Sequence, residues 1–299
     1  MNYITAVYTD IGTRKSTNQD SLCLRRVSLP EGGEMLFAAV CDGMGGLKKG
    51  ELASAAVIRG LETWFDANVG LLAAAQGFGA ARQQLTDLIA QLNLRIAAHG
   101  AQSGAQMGST LTALLAVNSR CLLVNVGDSR IYRVKNGVTQ LTQDQSLVER
   151  EIQQGRITRE EARHHPQKNV LLQCIGIGRE VIPAFTECRV EPDSVYLLCS
   201  DGFCHELAEE ELAGALNPAA MGTQSVMQDA AFRLAELCKS RGETDNITVA
   251  LCKTKESALA AVPSRGIFQR LFRKKVQAQP ELPPVVLESA HLLHTEEQI

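Results

Sequence analysis

Four acidic turns in the chain stand beside apolar, strand-forming runs: Asp42-Gly43 follows residues 35–41, Asp128-Ser129 follows 121–126, Asp201-Gly202 follows 195–199, and Asp245-Asn246 precedes 247–251. A carboxylate at the end of a buried strand costs free energy unless a positive group meets it. Oxygen donors without paired His or Cys select a hard divalent cation such as Mg²⁺ or Mn²⁺. Two such ions about 3.5–4 Å apart can share a water, acidify it and aim it at a phosphorus centre. Asp42, Asp201 and Asp245 together therefore point to hydrolysis of a phosphate ester.

What surrounds these turns extends the reading. Gly43, Gly45 and Gly46 let the backbone turn beside Asp42 and free a carbonyl to act as a ligand. The run Asp-Gly-Met-Gly-Gly lacks the G-x-G-x-x-G spacing of a dinucleotide loop. Each acidic turn alone is an ordinary Asp-Gly, Asp-Ser or Asp-Asn turn; their joint occurrence is what argues for a site. Near the N-terminus, Asp10-Ile11-Gly12-Thr13-Arg14 leads to Asn18-Gln19-Asp20. A planar guanidinium at Arg14 suits bidentate capture of a phosphate, against the plainer reading of a surface arginine.

Positioning these residues requires a mostly β scaffold. Residues 3–9, 21–27, 35–41, 110–117, 121–126, 131–134, 194–199 and 247–252 read as strands. Short connections at Asn118-Ser119-Arg120 and Gly127 to Arg130, and the turn signal Lys135-Asn136-Gly137-Val138, predict hairpins, hence antiparallel sheet. Ala53, Val57, Gly60, Leu61, Trp64 and Phe65 share one helical face, as do Leu85, Leu88, Ile89, Leu92 and Ile96, and residues 68–79 separate the two helices as an antiparallel pair. Another helix is expected around 226–238. Residues 143–178 are polar and read as an insertion over the surface.

With 299 residues and 45% hydrophobic content, the chain can bury one large core. A net charge of -3 argues against nucleic acid as a partner. No window approaches 18 uninterrupted apolar residues and the N-terminus lacks a basic segment followed by an apolar one, so a cytoplasmic protein without stable membrane insertion is expected. Nine cysteines without a Cys-x-x-Cys pair, five of them (Cys23, Cys41, Cys121, Cys199 and Cys252) in strand-like runs, read as core residues in a reducing compartment rather than as a disulfide framework or zinc site. After residue 254 the chain changes character. Pro263, Pro280, Pro283 and Pro284 accompany a basic cluster of Arg265, Arg270, Arg273, Lys274 and Lys275 interleaved with Ile267, Phe268, Leu271 and Phe272. Residues 255–299 read as a linker and flexible tail in preference to an amphipathic docking segment.

The ordered motifs Arg14 to Asp20, Asp42-Gly43-Met44-Gly45-Gly46, Gly108-Ser109-Thr110, Asn125 to Arg130, Ser200-Asp201-Gly202 and Asp245-Asn246 resemble the metal-dependent PPM family, the PP2C-like serine/threonine phosphatases, and in particular its compact bacterial branch. The resemblance implies an α+β fold, a four-layer α/β/β/α sandwich of two antiparallel sheets flanked by helices, over a phosphatase domain at 1–254. It implies two Mg²⁺ or Mn²⁺ ions. Asp42 would bridge them, the Gly43 carbonyl would bind one, Asp201 and Asp245 would complete the other, and Asp128 with Asp201 would match a weaker third site. Arg14 would hold the phosphate, and Asp20, Gln19 and Asn246 would support the metal ligands. Residues 143–178 resemble the family's mobile flap, so His164 and His165 read as flap structure.

The implied reaction is attack of a metal-bridged water on phosphoserine or phosphothreonine of proteins, without a phosphoenzyme. The enzyme would act as a monomer opposing a bacterial Ser/Thr kinase, and some relatives of this kind control type VI secretion. Two positions depart from the pattern. Gln19 stands where many members carry Glu, and Met44 where animal relatives carry a His general acid; Met cannot donate a proton. A catalytically silent phosphoprotein-binding module and a metal-dependent nucleotide hydrolase are the competing readings. The intact aspartates disfavour the first, and the lack of a G-x-x-x-x-G-K-[ST] loop the second.

Overall fold

The computed structural model describes residues 1–45, 49–74, 77–255, 285–295 and 299. In chain order the elements are β1 (Asn2–Asp10), β2 (Ser21–Ser28), β3 (Glu34–Cys41), β4 (Gly43–Gly45), α1 (Gly50–Ala74), α2 (Gly79–Ser103), β5 (Met107–Ser109), β6 (Leu111–Val117), β7 (Arg120–Val126), β8 (Arg130–Val134), β9 (Val138–Gln140), α3 (Leu147–Gln153), α4 (Arg159–Arg163), β10 (Ala184–Arg189), β11 (Val195–Cys199), α5 (Asp201–Cys204), α6 (Glu209–Ala215), α7 (Gln224–Ser240), β12 (Ile247–Lys255) and β13 (Val285–Leu292). One sheet runs β1-β12-β11-β8-β9, the other β10-β7-β6-β3-β2-β13, and β4 pairs with β5. Every pairing is antiparallel.

The layers follow from strands buried on both faces, which is why they read as unbroken apolar runs. In β3, Met35, Phe37, Ala39 and Cys41 face Val57, Leu61, Phe65, Leu85 and Ile89 of the helix pair. Leu36, Ala38 and Val40 face the other way, onto Tyr3, Leu198, Ala250 and Cys252 of the second sheet. In β11, Val195, Leu197 and Cys199 meet Met227, Ala231, Leu234 and Cys238 of α7. Helices, sheet, sheet and helices thus stack in four layers, as expected. Each large apolar side chain removed from water in these layers stabilises the stack by roughly 2 kcal/mol.

Antiparallel alternation also gathers the acidic turns. The end of β1, the start of β12, the end of β11 and the start of β8 lie at one end of their sheet. The start of β2, the end of β3, the start of β6 and the end of β7 do the same in the other. The segment from Gly127 to Ser129, expected to close a hairpin, instead joins β7 of one sheet to β8 of the other, so the two ends are the same end of the sandwich.

Three further expectations need correction. Residues 68–74 continue α1 instead of separating the helices; Asn68 Nδ2 donates to the Trp64 carbonyl at 2.8 Å, within the helix. The tail is not structureless throughout: β13 adds to β2, which otherwise presents the unpaired backbone groups of a sheet edge. Arg59 Nη2 of α1 then holds the Thr295 carbonyl at 2.6 Å. Cys121 and Cys188 form a disulfide, directly opposite each other in the β7–β10 register with Cα atoms 5.3 Å apart. The other seven cysteines are free and buried. Gly46, the prolines at 263, 280, 283 and 284, and the basic cluster at 265–275 lie outside the described residues.

Candidate metal centre

Asp42 sits between β3 and β4, fastened on both sides of its peptide. Its N–H donates to Thr110 Oγ1 at 2.8 Å, and its carbonyl accepts from Thr110 N at 2.9 Å. Thr110 Oγ1 is itself 2.8 Å from Ser129 Oγ, so the Gly108-Ser109-Thr110 and Asp128-Ser129 turns jointly orient Asp42. Gly43 N donates to the Gln19 carbonyl at 3.1 Å. A Cβ at Gly43 would fall 2.2 Å from the Gly50 carbonyl oxygen, so no side chain fits there.

Asn246 staples the N-terminal loop into the same place. Its Nδ2 donates to the carbonyls of Ile11 at 2.9 Å and Thr17 at 3.1 Å, and its Oδ1 accepts from Gln19 N at 2.8 Å. Asp201 opens α5 directly against this turn: a Cβ at Gly202 would lie 2.3 Å from the Asn246 carbonyl oxygen. Asp20 is fully buried behind them and accepts from Ser200 Oγ at 2.8 Å on Oδ2, while its Oδ1 has no partner.

Carboxylates thus accumulate where water is scarce. Burial, with the charges of Asp201 and Asp245 adding, pushes Asp20 up to about 7 against the pull of the Thr248 and Ser200 hydroxyls. Burial likewise raises Asp42 well above the usual carboxylate range, reinforced by Asp20, Asp201, Asp245 and Asp128. Asp128, 5% exposed, is pushed up to about 8 by burial and then by Asp201. Asp201 Oδ1 is a second buried oxygen without a partner. Unmatched carboxylate oxygens of this kind fit a divalent cation.

One cation of the chain answers them in part. Lys15 Nζ lies 2.7 Å from Asp245 Oδ1. Partial burial opposes its charge, but the bond to Asp245 and the fields of Asp42 and Asp201 raise its pKa. Lys15 was not anticipated from sequence, and nothing in its local pattern marks it. Arg14, one residue earlier, is exposed and makes no hydrogen bond or ion pair with another described residue.

Among the described residues, Asp128, Asp201 and His205 bring ligand atoms within 4.8 Å of one another. Asp42 and Asp245 stand outside this trio, and His205 is a second residue that sequence reasoning missed. With its amide oriented to satisfy both neighbours, Gln19 donates from Nε2 to the Gly43 carbonyl and accepts from Gly50 N, each at 3.2 Å. The proposed carbonyl ligand therefore already has one hydrogen-bond partner. Beside it, Met44 Sδ lies 3.4 Å from Cys174 Sγ.

The insertion begins and ends at this centre. Arg130 clasps Asp144 with Nε at 2.9 Å from Oδ1 and Nη2 at 2.6 Å from Oδ2, and Gly127 and Gln145 exchange hydrogen bonds. Ile175 pairs with Ser109 and is fully buried. Between these anchors α3 is mostly half-buried and α4 largely exposed. His164 is exposed and His165 half-buried, and neither belongs to the Asp128, Asp201 and His205 cluster.

A protein phosphatase 2C family profile matches residues 12–238. The serine/threonine protein phosphatase PstP of Mycobacterium tuberculosis is 35% identical over 245 residues, which is 82% of this chain and 43% of PstP. The chain thus spans less than half the length of that relative. The catalytic domain of PstP in complex with two manganese ions superposes with a TM-score of 0.68 at 31% identity, covering 85% of this chain and 99% of the other. PppA of Pseudomonas aeruginosa, described as a key regulatory component of T6SS, superposes with a TM-score of 0.65 at 26% identity, covering 85% and 98%. No helix among the described residues is long and apolar enough to cross a membrane.

Proposed function

The chain belongs to the protein phosphatase 2C family, and we propose that it hydrolyses phosphoserine and phosphothreonine on proteins with the help of Mg²⁺ or Mn²⁺. The observation that carries this reading is the convergence of Asp20, Asp42, Asp128, Asp201 and Asp245 from separate turns at one end of the sandwich, with Asp20 Oδ1 and Asp201 Oδ1 left unpaired. Asp42, Asp201, Asp245 and the Gly43 carbonyl would hold two ions, and Asp128 with Asp201 a third. Bound there, the ions supply Lewis acidity and an acidified water for attack on phosphorus.

The chain's own groups do the remaining work. Thr110 and Ser129 hold Asp42 in place; Asn246 fixes the loop that carries Arg14, Gln19 and Asp20. Arg14 is free to take a phosphate bidentately, and Lys15 balances Asp245 until a stronger cation arrives. Met44 has no proton to give, so the departing seryl or threonyl oxygen would take its proton from a water or from another group of the centre. Gln19 replaces a charge with an amide and ties down the Gly43 carbonyl, which weakens cation binding relative to a carboxylate at that position.

The domain of 1–254, with its flap at 143–178, forms the catalytic unit, acting as a monomer in the cytoplasm against a bacterial Ser/Thr kinase. The likeness to PppA supports a role in control of type VI secretion. The test is turnover of a phosphothreonine peptide and of ATP by the full chain, with Mn²⁺ and with EDTA, alongside Asp42→Asn. Peptide turnover dependent on Mn²⁺ and on Asp42 is expected. Turnover surviving EDTA or the substitution overturns the metal mechanism. ATP as the sole substrate indicates a nucleotide hydrolase, and no turnover of either a binding module.

A further inference from the structure

We propose that Asp128, Asp201 and His205 form a mixed oxygen–nitrogen cation site that prefers a borderline transition ion, such as Mn²⁺, Co²⁺ or Zn²⁺, over Mg²⁺. The inference rests on the reading of Asp128 and Asp201 as cation-facing; what it adds is the imidazole and its consequence for which metal binds.

The sheet register brings the two carboxylates together. Strands β8 and β11 pair Arg130 with Cys199. Asp128 lies two residues before the first of these and Asp201 two residues after the second, so they stand opposite each other just beyond the strand ends. The single turn of α5 then carries His205 onto the face of Asp201, four residues on, with His205 N donating to the Asp201 carbonyl at 2.9 Å. One ligand atom from each of the three lies within 4.8 Å of the others.

Two observations show that these donors are not satisfied within the protein. Asp128 is 5% exposed and its carboxylate makes no hydrogen bond with another described residue. Asp201 Oδ1 is buried without a partner, and Asp201 Oδ2 is 3.9 Å from His205 Nδ1, too far for a hydrogen bond. Three unsatisfied donors around one point suit an ion at their centre better than a set of direct contacts.

The donor types choose the ion. Carboxylate oxygens suit Mg²⁺ and Mn²⁺ alike, whereas an imidazole nitrogen favours first-row transition ions and gives Mg²⁺ little. A third carboxylate would have narrowed that preference. The structure thus separates an oxygen-only core around Asp42 and Asp245 from a neighbouring position that responds to transition metals.

The experiment uses the full-length, EDTA-stripped Asp42→Asn protein, in which the core is impaired and all three donors remain. Co²⁺ is titrated by isothermal calorimetry and electronic absorption, and Mg²⁺ by calorimetry, before and after adding His205→Ala or His205→Asp. Removal of one ligand is expected to weaken Co²⁺ by about tenfold or more and Mg²⁺ by less than about threefold. His205→Asp is expected to bind Mg²⁺ more tightly than the unsubstituted site and to abolish the nitrogen-ligand absorption of Co²⁺. Histidine-selective ¹⁵N spectra should show the His205 ring shifted by Co²⁺. Unchanged Co²⁺ affinity in His205→Ala, or an unperturbed His205 ring, overturns the proposal. The core assignment fails separately if Asp42→Asn leaves the number and affinity of Mn²⁺ ions as in the unsubstituted chain.

Discussion

Removing a charge from the metal centre should stabilise the metal-free protein, and Asp128→Asn is the substitution with which to measure it. The folded-state pKa of Asp128 is raised from 3.8 to about 8, chiefly by burial and then by Asp201. The folded state therefore keeps a proton that the unfolded chain has lost, and stability falls as pH rises from 3.8 through about 8. At about 1.4 kcal/mol per decade, that range sets an upper bound of about 6 kcal/mol on the cost of the charge. Coulomb repulsion between two carboxylates whose oxygens lie within 4.8 Å of each other, at an effective dielectric of about 20, gives about 3 kcal/mol or more. His205 offsets part of it, so we expect Asn to gain about 2–4 kcal/mol at pH 8 in EDTA, or about 5–10 °C in Tm for a domain of this size. At pH 5 the gain should shrink to under half, because Asp128 is then protonated in the fold. Added Mn²⁺ should stabilise the unsubstituted chain more than the variant. Thermal melts at the two pH values, with and without Mn²⁺, decide it. A variant no more stable at pH 8, or equally stabilised at pH 5, refutes the account of the centre as unmatched buried charge.

Other outcomes follow from the same geometry. Gly202→Ala places a Cβ 2.3 Å from the Asn246 carbonyl oxygen, so we expect a loss of about 2–4 kcal/mol in denaturant melts and loss of peptide turnover. Lys15→Gln removes the ammonium that competes for Asp245; because the pair is more than one-third exposed, Mn²⁺ should bind only about two- to fivefold more tightly by calorimetry. Truncation after residue 284 removes β13, and hydrogen exchange should then show faster amides in β2 while β6 and β12 stay protected. Alkylation of the denatured chain should block seven thiols without reductant and nine after reduction if Cys121 and Cys188 are bonded; nine in both cases would show them free.

How much of this could be read beforehand depended on whether a residue's role is set locally or by register. β3, β6, β7, β11 and β12 announced themselves because both faces are buried, leaving unbroken apolar runs. The acidic turns stood out because Asp before Gly, Ser or Asn at a strand end is a local pattern. β10 is almost wholly exposed, with no apolar alternation to find, and the Cys121–Cys188 pairing stayed hidden with it, 67 residues apart. Likewise β13 takes its place by covering the edge of β2, a partner far away in sequence. His205 and Lys15 are the sharper case, since each is a single polar residue in an unremarkable context. His205 acquires meaning only when the Arg130–Cys199 register sets Asp128 opposite Asp201, and Lys15 only when Asn246 draws the N-terminal loop down to Asp245. Local chemistry thus marks which carboxylates are candidates to meet a cation, whereas the pairing of distant strands determines which nitrogen stands beside them. In the proposed site, metal preference would for that reason follow from the fold's register and not from its motifs.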